Sequence, residues 1–594
     1  MSRPLRIAAL VKQIPKIEAM ALGPDGRLQR EGLELHMNDY CRRAVAKGHE
    51  LAQATGGTLT VITLGPPSAE NVLREAIAFG ADEGIHVTDP AFAGSDTWAT
   101  ARALSAAIEA VGPFDLVLLG RNSVDADTGQ VPPQIASMLG LPFLTGVREL
   151  SLEGETVRVR LEHDDEWVDA EVDLPAMLSC AERLCDPCKI KDPAVWATVD
   201  ASRIRTLSAA DLGAGPWGQD GSPTRVGDVR TLAATRQQQM ADGTLEEKVQ
   251  AIMDVLEDRA VLVPASADDG PPEAVPATGG DGPIVAVMVE PDRDRISREL
   301  LGAAAHLASE LGGRVVAFGP ELDELEQLGS WGADEVVSIT GVTAEEDVAG
   351  GLVDWARTTA PWAVIAPGTA WGRDVLSRAA AVLEAGLTGD AVDLEARDGR
   401  LVAWKPAFGG ALVAEIHCSS PIQMATVRAG IIPLRTPRPS GSPRHTVVEL
   451  QPTSRVRILG REREDDSEEM ATADVVIGVG LGVALDDYPL LRDHAERMGA
   501  ALCATRKVTD LGWMPRARQV GITGHSISPR LFISLGSSGK FNHTVGIRGA
   551  GTVVAVNTDA EAPIFGFSDI GVVDDWKAVL EELTPRVERA RKSS

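Results

Sequence analysis

The chain has 594 residues, with 57 Lys plus Arg against 86 Asp plus Glu and a formal net charge of −29. So acidic a balance leaves no general electrostatic footprint for a phosphate backbone or an anionic membrane surface, which sets nucleic-acid binding aside. With 44% hydrophobic and 24% charged residues the composition is that of a folded globular protein, and at roughly 150 residues per domain the length predicts several domains.

In chain order, MSRPLRIAALVKQIP comes first, and its apolar run from Ile7 to Val11 is too short for a signal-peptide core or a membrane span. No other apolar stretch approaches a bilayer's thickness, so a cytoplasmic protein without membrane insertion is expected. The short runs TVITLG (60–65), DLVLLG (115–120) and VVIGVG (475–480) each end in glycine ahead of a longer helical pattern. Runs of that kind read as buried parallel strands entering βα turns, and the class is α/β.

An internal repeat organises the chain. GADE stands at 80–83 before the apolar IHV and again at 332–335 before VVSI. Each copy follows a strand pattern ending in Gly-Pro, TVITLGP and RVVAFGP, and precedes another, DLVLLG and WAVIAPG. Self-similarity at a spacing of about 250 residues predicts two domains of one topology. Between them the loop-like DLGAGPWGQDGSPTRV (211–226) leads to TLEEKVQAIMDVLEDRA (244–260), an amphipathic helix, and VPASADDGPPEAVPATGGDGP (263–283) has the composition of a flexible linker. An arm followed by a tether predicts two formerly separate polypeptides fused in one chain. Within 436–475, PSGSPRH and REREDDSEE read as loop and predict a hinge ahead of a third unit with a different glycine pattern.

Chemistry concentrates at two turns. VVIGVGLG closes a strand with Gly478, Gly480 and Gly482, followed by Asp486, Asp487, Pro489 and an apolar row at Leu491, Ala495 and Met498. A strand, a glycine turn and a helix with Pro in its first turn can aim backbone N–H groups at a pyrophosphate, or can form a tight βα turn without a ligand. After DLVLLG come Asp125, Asp127, Thr128, Gly129 and Gln130 ahead of a helix, a phosphate site at a helix N-terminus or an Asx-capped helix start. Cys180, Cys185 and Cys188 have the spacing of three ligands of a plant-type iron–sulfur cluster, and a fourth would have to come from Cys41, Cys418 or Cys503. Reduced structural thiols and no metal site are expected. HExxH, a complete Walker A motif and a GxSxG elbow do not occur in the sequence, so hydrolases and P-loop ATPases lose their support.

From Ala504 onward ATRKVTDLGW (504–513), QVGITG (519–524), SPRLFISLGSSGKFNHTVGI (528–547), VVAVNTDAEAPIF (553–565) and SDIGVVDD (568–575) follow in order. This run resembles the FAD-binding domain of the alpha subunit of electron-transfer flavoprotein across essentially its whole length. GLTGDAVDL (386–394), KPAFGGALVAEI (405–416) and MATVRAG (424–430) resemble that subunit's N-terminal domain. VKQIP (11–15), NDY (38–40) and DADTGQVPPQIASMLGLPFLTGV (125–147) resemble the beta subunit. The resemblance implies two related doubly wound Rossmann-like domains plus a C-terminal α/β FAD-binding domain. It divides the chain into a beta-like nucleotide-binding domain over 1–215, its C-terminal arm over 216–262, the linker 263–283, an alpha-like N-terminal domain over 284–450 and an FAD-binding domain over 451–594.

Carried over position by position, the resemblance implies that Arg506 lies over the flavin, where a cation favours the reduced, anionic ring. It implies that Thr523 bonds flavin N5 and that Ser538 and His543 sit near the pyrimidine end. Gln519, Val520, Gly521, Gly524 and Gly539 shape the loops around the ring, and Asn557, Asp559 and Asp575 hold the ribityl, phosphate or adenosine part. Such groups tune a cofactor that itself carries the electrons. Standing alone, Arg506 reads as a surface cation, Thr523 as a turn hydroxyl and His543 as a satisfied buried histidine. The sequence departs from the family at Leu481, where an arginine is usual, at His525 for a lysine, at Asn542 for a glutamine and at Lys540 for a small residue. Those departures bear on the reduction potential. In the beta-like part Asn38, Asp125, Asp127, Thr128, Gly129 and Gln130 match a second nucleotide site. The family fills it with AMP or, in electron-bifurcating members, with a second FAD.

The resemblance therefore implies a single-chain electron carrier that receives electrons from a flavoprotein dehydrogenase and passes them to a quinone oxidoreductase or another acceptor. No residue is assigned substrate chemistry. The loop around Leu212 and Trp217 stands where the family recognises its dehydrogenases. VDADTGQVPPQIA (124–136) with GSDTWATA (94–101) is closer in wording to bifurcating members, in which NADH reduces the second FAD. A nonredox adenine-nucleotide-binding protein is the third reading. Fusion predicts a monomer acting as a pseudo-heterodimer.

Overall fold

The computed structural model describes residues 3–16, 33–190, 192–231, 236–262, 273–407, 412–439, 442–463, 467–521 and 524–593. Three sheets with parallel cores organise them. In the first unit the spatial order is Glu83–Val87, Thr58–Leu64, Arg6–Val11, Leu116–Gly120, Ala176–Cys180 and Phe143–Glu153, all parallel. The second unit repeats that order with Glu335–Thr340, Arg314–Pro320, Ile284–Met288, Ala363–Pro367, Gln423–Val427 and Gly386–Ala391. Helices cover both faces of each sheet, so the strands are continuous apolar runs: Ile7, Ala8 and Ala9 are fully buried, as are Val285, Ala286 and Val287.

The GADE repeat has a structural cause. Gly80 ends a helix at φ 140° and Gly332 ends its counterpart at φ 135°, a region that L side chains rarely adopt. Asp82 Oδ2 then accepts the Leu59 N–H at 2.8 Å, and Asp334 Oδ2 accepts the Val315 N–H at 2.8 Å. Each aspartate ties the start of one strand to the chain entering the next.

The first two units each carry antiparallel strands besides the parallel ones. In the first unit Thr156–Glu162 and Glu166–Asp173 extend the main sheet. In the second, Asp393–Arg397, Arg400–Ala407 and Leu412–Cys418 form a separate ribbon, joined by Thr224–Thr231 from the first half. The third unit is a six-stranded parallel sheet in the order Gln239–Ala241, Ile570–Val573, Thr552–Asn557, Leu531–Leu535, Val475–Val479 and Ala501–Ala504.

Its edge strand therefore comes from the first half of the chain. The amphipathic helix expected at 244–260 forms over Leu245–Asp258, opened by a capping box between Thr244 and Glu247. Val249, Ile252 and Leu256 are buried in one apolar cluster with Leu580, Leu583 and Val587 of the C-terminal helix. Each such side chain contributes about 1.5–3 kcal/mol by leaving water. Arg236 and Arg259 both pair with Asp569, each at 2.9 Å, and that carboxylate is 1% exposed.

The segment 436–475 is more ordered than its composition predicts. Arg444–Glu449 adds a parallel edge strand to the second unit's sheet, and Arg457–Arg463 pairs antiparallel with Glu166–Asp173 of the first. Both strands are mostly exposed on their faces, so they lack the apolar alternation that marks a strand in sequence. Main-chain pairing and the salt bridges Arg457–Glu171 at 2.9 Å and Arg461–Glu166 at 2.8 Å hold the second of them in place. All six cysteines are free thiols, and among the described residues none of the His, Cys, Asp and Glu groups is arranged to hold a metal ion. Among those residues no helix is long and apolar enough to cross a membrane.

Candidate functional site

In the third unit the chain lays down Val475–Val479 first, places Ala501–Ala504 on one side and the later strands on the other. The order reverses between Val475–Val479 and Leu531–Leu535, and a crevice opens at the carboxyl ends of strands at such a point. The expected residues gather there because each follows one of these strands: Arg506 after Ala501–Ala504, Ser538 and Gly539 after Leu531–Leu535, Asn557 and Asp559 at the end of Thr552–Asn557, Asp575 after Ile570–Val573.

Glycines let backbone segments close on one another at the crevice. Gly480 N–H donates to Leu535 O at 2.9 Å and Gly482 N–H to Gly536 O at 3.0 Å. A Cβ at Gly480 would stand 2.3 Å from Gly536 O, and one at Gly521 would stand 2.2 Å from Asn542 O. The loop carrying Gln519, Val520, Gly521 and Gly524 is closed by the His525 N–H donating to Gln519 O at 2.7 Å and the Gly521 N–H to His525 O at 3.0 Å. Thr523 lies outside the described residues.

His543 is buried, its Nδ1 donates to Val520 O at 3.0 Å, and its Nε2 is buried without a partner. Burial lowers its pKa, only partly offset by the Val520 carbonyl. A buried ring nitrogen without a partner is a place where another group can complete the bonding. Asn557 Nδ2 donates to Ser537 O at 2.8 Å and its Oδ1 accepts the Asp559 N–H at 3.0 Å, so it pins two of the crevice loops. Ser538 and Asp575 are exposed, and Asp575 accepts the Lys577 N–H at 2.8 Å. Arg506 opens a short helix and forms ion pairs with Asp510 at 3.3 Å and with Glu182 of the first unit. Burial opposes its charge, but the two carboxylates outweigh burial and raise its pKa. Gln519 Oε1 accepts from Thr509 Oγ1 at 2.9 Å and from Arg183 at 3.1 Å. The set fits a dinucleotide cofactor: loops closed glycine against backbone at the strand switch, a buried ring nitrogen in need of a partner and a cation on the helix that follows Ala501–Ala504.

The first unit has its own switch point, between Arg6–Val11 and Leu116–Gly120. Asn38 is fully buried there; its Nδ2 donates to Asn122 O at 2.8 Å and its Oδ1 accepts the Val124 N–H at 3.3 Å. Asn122 Oδ1 in turn accepts the Gly129 N–H at 3.1 Å, and Lys12 pairs with Asp125 at 2.8 Å. Asp127 and Gly129 take positive φ of 48° and 63°, which folds the loop back on itself. Gln130 is 1% exposed and spans the boundary, accepting from Thr97 Oγ1 at 2.7 Å and donating to Leu387 O of the second unit at 3.3 Å. The following helix, Val131–Leu139, starts with Pro132 and Pro133, which carry no N–H, so its own N-terminus has few donors to offer a phosphate. Lys12, Asn122 and Arg428, which stands 3.8 Å from Asp127, belong to this crevice and were not picked out from sequence. Lys12 follows a strand within VKQIP, and Arg428 lies within MATVRAG; both motifs are visible in sequence, but nothing in the second shows that its arginine reaches the first unit.

An electron transfer flavoprotein domain model matches residues 25–212 and 285–453, and an electron transfer flavoprotein FAD-binding domain model matches residues 469–548. The chain is 36% identical over 261 residues to the electron transfer flavoprotein subunit beta of Thermoanaerobacterium thermosaccharolyticum, covering 43% of this chain and 100% of that one. It is 31% identical over 310 residues to the alpha subunit from the same organism, covering 50% of this chain and 94% of that one. Protein FixB of Rhizobium meliloti is 36% identical over 310 residues, covering 49% of this chain and 87% of its own length. The chain thus belongs to the electron transfer flavoprotein family, a beta-like half followed by an alpha-like half in one polypeptide, with the FAD-binding domain at the C-terminal end.

Proposed function

We propose that this protein carries electrons on an FAD lodged in the third unit's switch-point crevice, between a flavoprotein dehydrogenase and a quinone oxidoreductase or another acceptor. The observation that carries the reading is that the glycine turns at 480–482 and 536–539 follow two adjacent parallel strands on either side of the point where the strand order reverses, in a unit whose His543 Nε2 is buried without a partner. FAD supplies the redox chemistry when bound. The chain's own residues bind and tune: the glycines let the loops that frame the cofactor close on one another, Gln519, Val520, Gly521 and Gly524 wall the ring, Asn557 and Asp559 organise the loop toward the sugar–phosphate part, and Arg506 keeps a positive charge at the rim.

The second nucleotide of this reading, AMP or a second FAD, occupies the first unit's crevice, with Lys12 and the loop from Asn122 to Gln130 as its polar wall. The loop wording at 124–136 supports the bifurcating alternative, in which that nucleotide is an FAD reduced by NADH. Release and chromatographic counting of bound nucleotide tests both. One FAD with one AMP per chain is the expected result for a simple carrier; two FAD, with bleaching by NADH, moves the assignment to bifurcation. A colourless protein that takes up no added FAD overturns the proposal.

A further inference from the structure

The first unit's antiparallel strands Thr156–Glu162 and Glu166–Asp173 turn over at residues 163–165, and this tip is inserted at the boundary with the second unit. His163 lies in it. The side chain is only 7% exposed, its Nδ1 stands 3.7 Å from Glu166 Oε1, and its Nε2 is buried without a hydrogen-bond partner. The ring lines a small cavity whose wall also holds Thr145 of the first unit, Glu345 and Asp374 of the second, and Ile458 of the strand Arg457–Arg463. Three parts of the chain therefore meet at one imidazole.

The charges at this cavity do not balance without the ring. Glu166 and Glu345, the latter at the start of helix Glu345–Thr359, share the guanidinium of Arg461 at 2.8 and 2.7 Å. Asp374, on helix Ala370–Leu383, pairs with Arg378 at 2.8 Å, and Asp164 accepts the Ala370 N–H at 2.7 Å. Even with Asp164 left out, three carboxylates face two guanidiniums. An imidazolium supplies the missing cation, with one N–H for Glu166 and a second on the cavity side, where Glu345 and Asp374 stand. A neutral ring has one N–H too few, and the carboxylates of the two units then repel one another in a medium that screens them poorly. Burial alone would keep the ring neutral, but Glu166, Glu345 and Asp164 outweigh burial and raise the His163 pKa above its ordinary 6.5.

We propose that His163 is a proton-operated clasp between the two halves of the duplication: as the imidazolium it ties the first unit's hairpin tip, and with it the strand Arg457–Arg463, to the second unit, and as the neutral ring it releases that tie. The folded-state proton affinity exceeds the unfolded one, so the clasp's contribution to stability is full below about pH 6.5 and is lost as pH rises through the folded value.

Thermal unfolding of the full chain at pH 6 and pH 9 tests this. His163→Gln keeps a polar side chain but takes no proton, so its midpoint should lie about 1–3 °C below wild type at pH 6 and match it at pH 9. Groups that titrate elsewhere move both proteins alike. Glu345→Gln identifies the partner across the boundary: at pH 6 the double variant should lose less than the sum of the two single losses, and at pH 9 the losses should add. A His163→Gln deficit that does not shrink from pH 6 to pH 9, zero included, makes the residue a packing group and overturns the proposal, as do additive losses at pH 6. Should His163→Gln fail to fold, Glu345→Gln decides alone: a larger loss at pH 6 than at pH 9 supports the clasp, and an equal or smaller one overturns it.

Discussion

The carboxylate of Glu182 in the first unit and the guanidinium of Arg506 in the third form an ion pair across the boundary between units. The neighbouring Arg183 pairs with Asp510 and donates to Gln519, so one turn of the first unit grips two residues of the proposed flavin wall. In the proposed function the charge that Arg506 offers the ring is thereby partly cancelled. Replacing Glu182 by Gln should raise the flavin's midpoint potential, and Arg506→Gln should lower it, each by on the order of 30 mV, a tenfold change for a two-electron couple. Spectroelectrochemical titration reads both; shifts of the same sign would refute the assignment of opposing roles.

The arm of the beta-like half is a structural part of the third unit, since Arg236 and Arg259 converge on Asp569 and Asp569 Oδ2 also accepts the Val553 N–H at 2.8 Å. Truncating one member of a buried ion cluster leaves the others uncompensated at a cost of about 3–5 kcal/mol. Asp569→Ala should lower the unfolding midpoint of the third unit in urea. A protease site placed in 263–272 should, after cleavage, leave both fragments co-eluting in gel filtration. Separation of the fragments under native conditions would contradict the shared core.

Glu290 stands among carboxylates at the junction of units, accepting from Thr369 Oγ1 at 2.7 Å. Burial pushes its pKa up to about 8, against the opposing pull of Arg293 and Thr369. Its folded value is above its unfolded one, so the native state holds the extra proton and the associated stability is full below about pH 4.3 and lost as pH rises through about 8. Glu290→Gln mimics the protonated form and should flatten this decline. Urea midpoints at pH 6 and pH 9 read the difference: the variant should gain on wild type at the higher pH. A parallel pH profile would place the proton elsewhere.

The α/β class and the duplication were legible because buried parallel strands write continuous apolar runs and because Gly80 and Gly332, with Asp82 and Asp334, perform one backbone task twice. Arg457–Arg463 was not legible, for its partner Glu166–Asp173 lies far back in the chain and its charged, exposed faces read as loop. The third unit's residues fell at strand ends, where short glycine-punctuated motifs are visible in sequence. Arg428, though inside MATVRAG, meets Asp127 of another unit, and Asp164 accepts the Ala370 N–H of another; a single charged residue carries no local signal of the surface it meets.

His543 makes a distinct prediction, because its tautomer follows from its partner. The Val520 carbonyl can only accept, so Nδ1 carries the hydrogen and Nε2 of the neutral ring presents a lone pair. Burial lowers the ring's pKa, so at neutral pH it is uncharged. In the proposed crevice, reduction of the flavin places negative charge beside Nε2, which raises the ring's proton affinity. One proton taken up per two electrons makes the midpoint potential fall by about 30 mV per pH unit between the ring's two pKa values. His543→Gln keeps a polar side chain but cannot take the proton, so its potential should show a shallower pH slope and lie below wild type at the acidic end of the range. Identical slopes in the two proteins would assign the proton to the flavin alone and leave His543 a neutral hydrogen-bond partner.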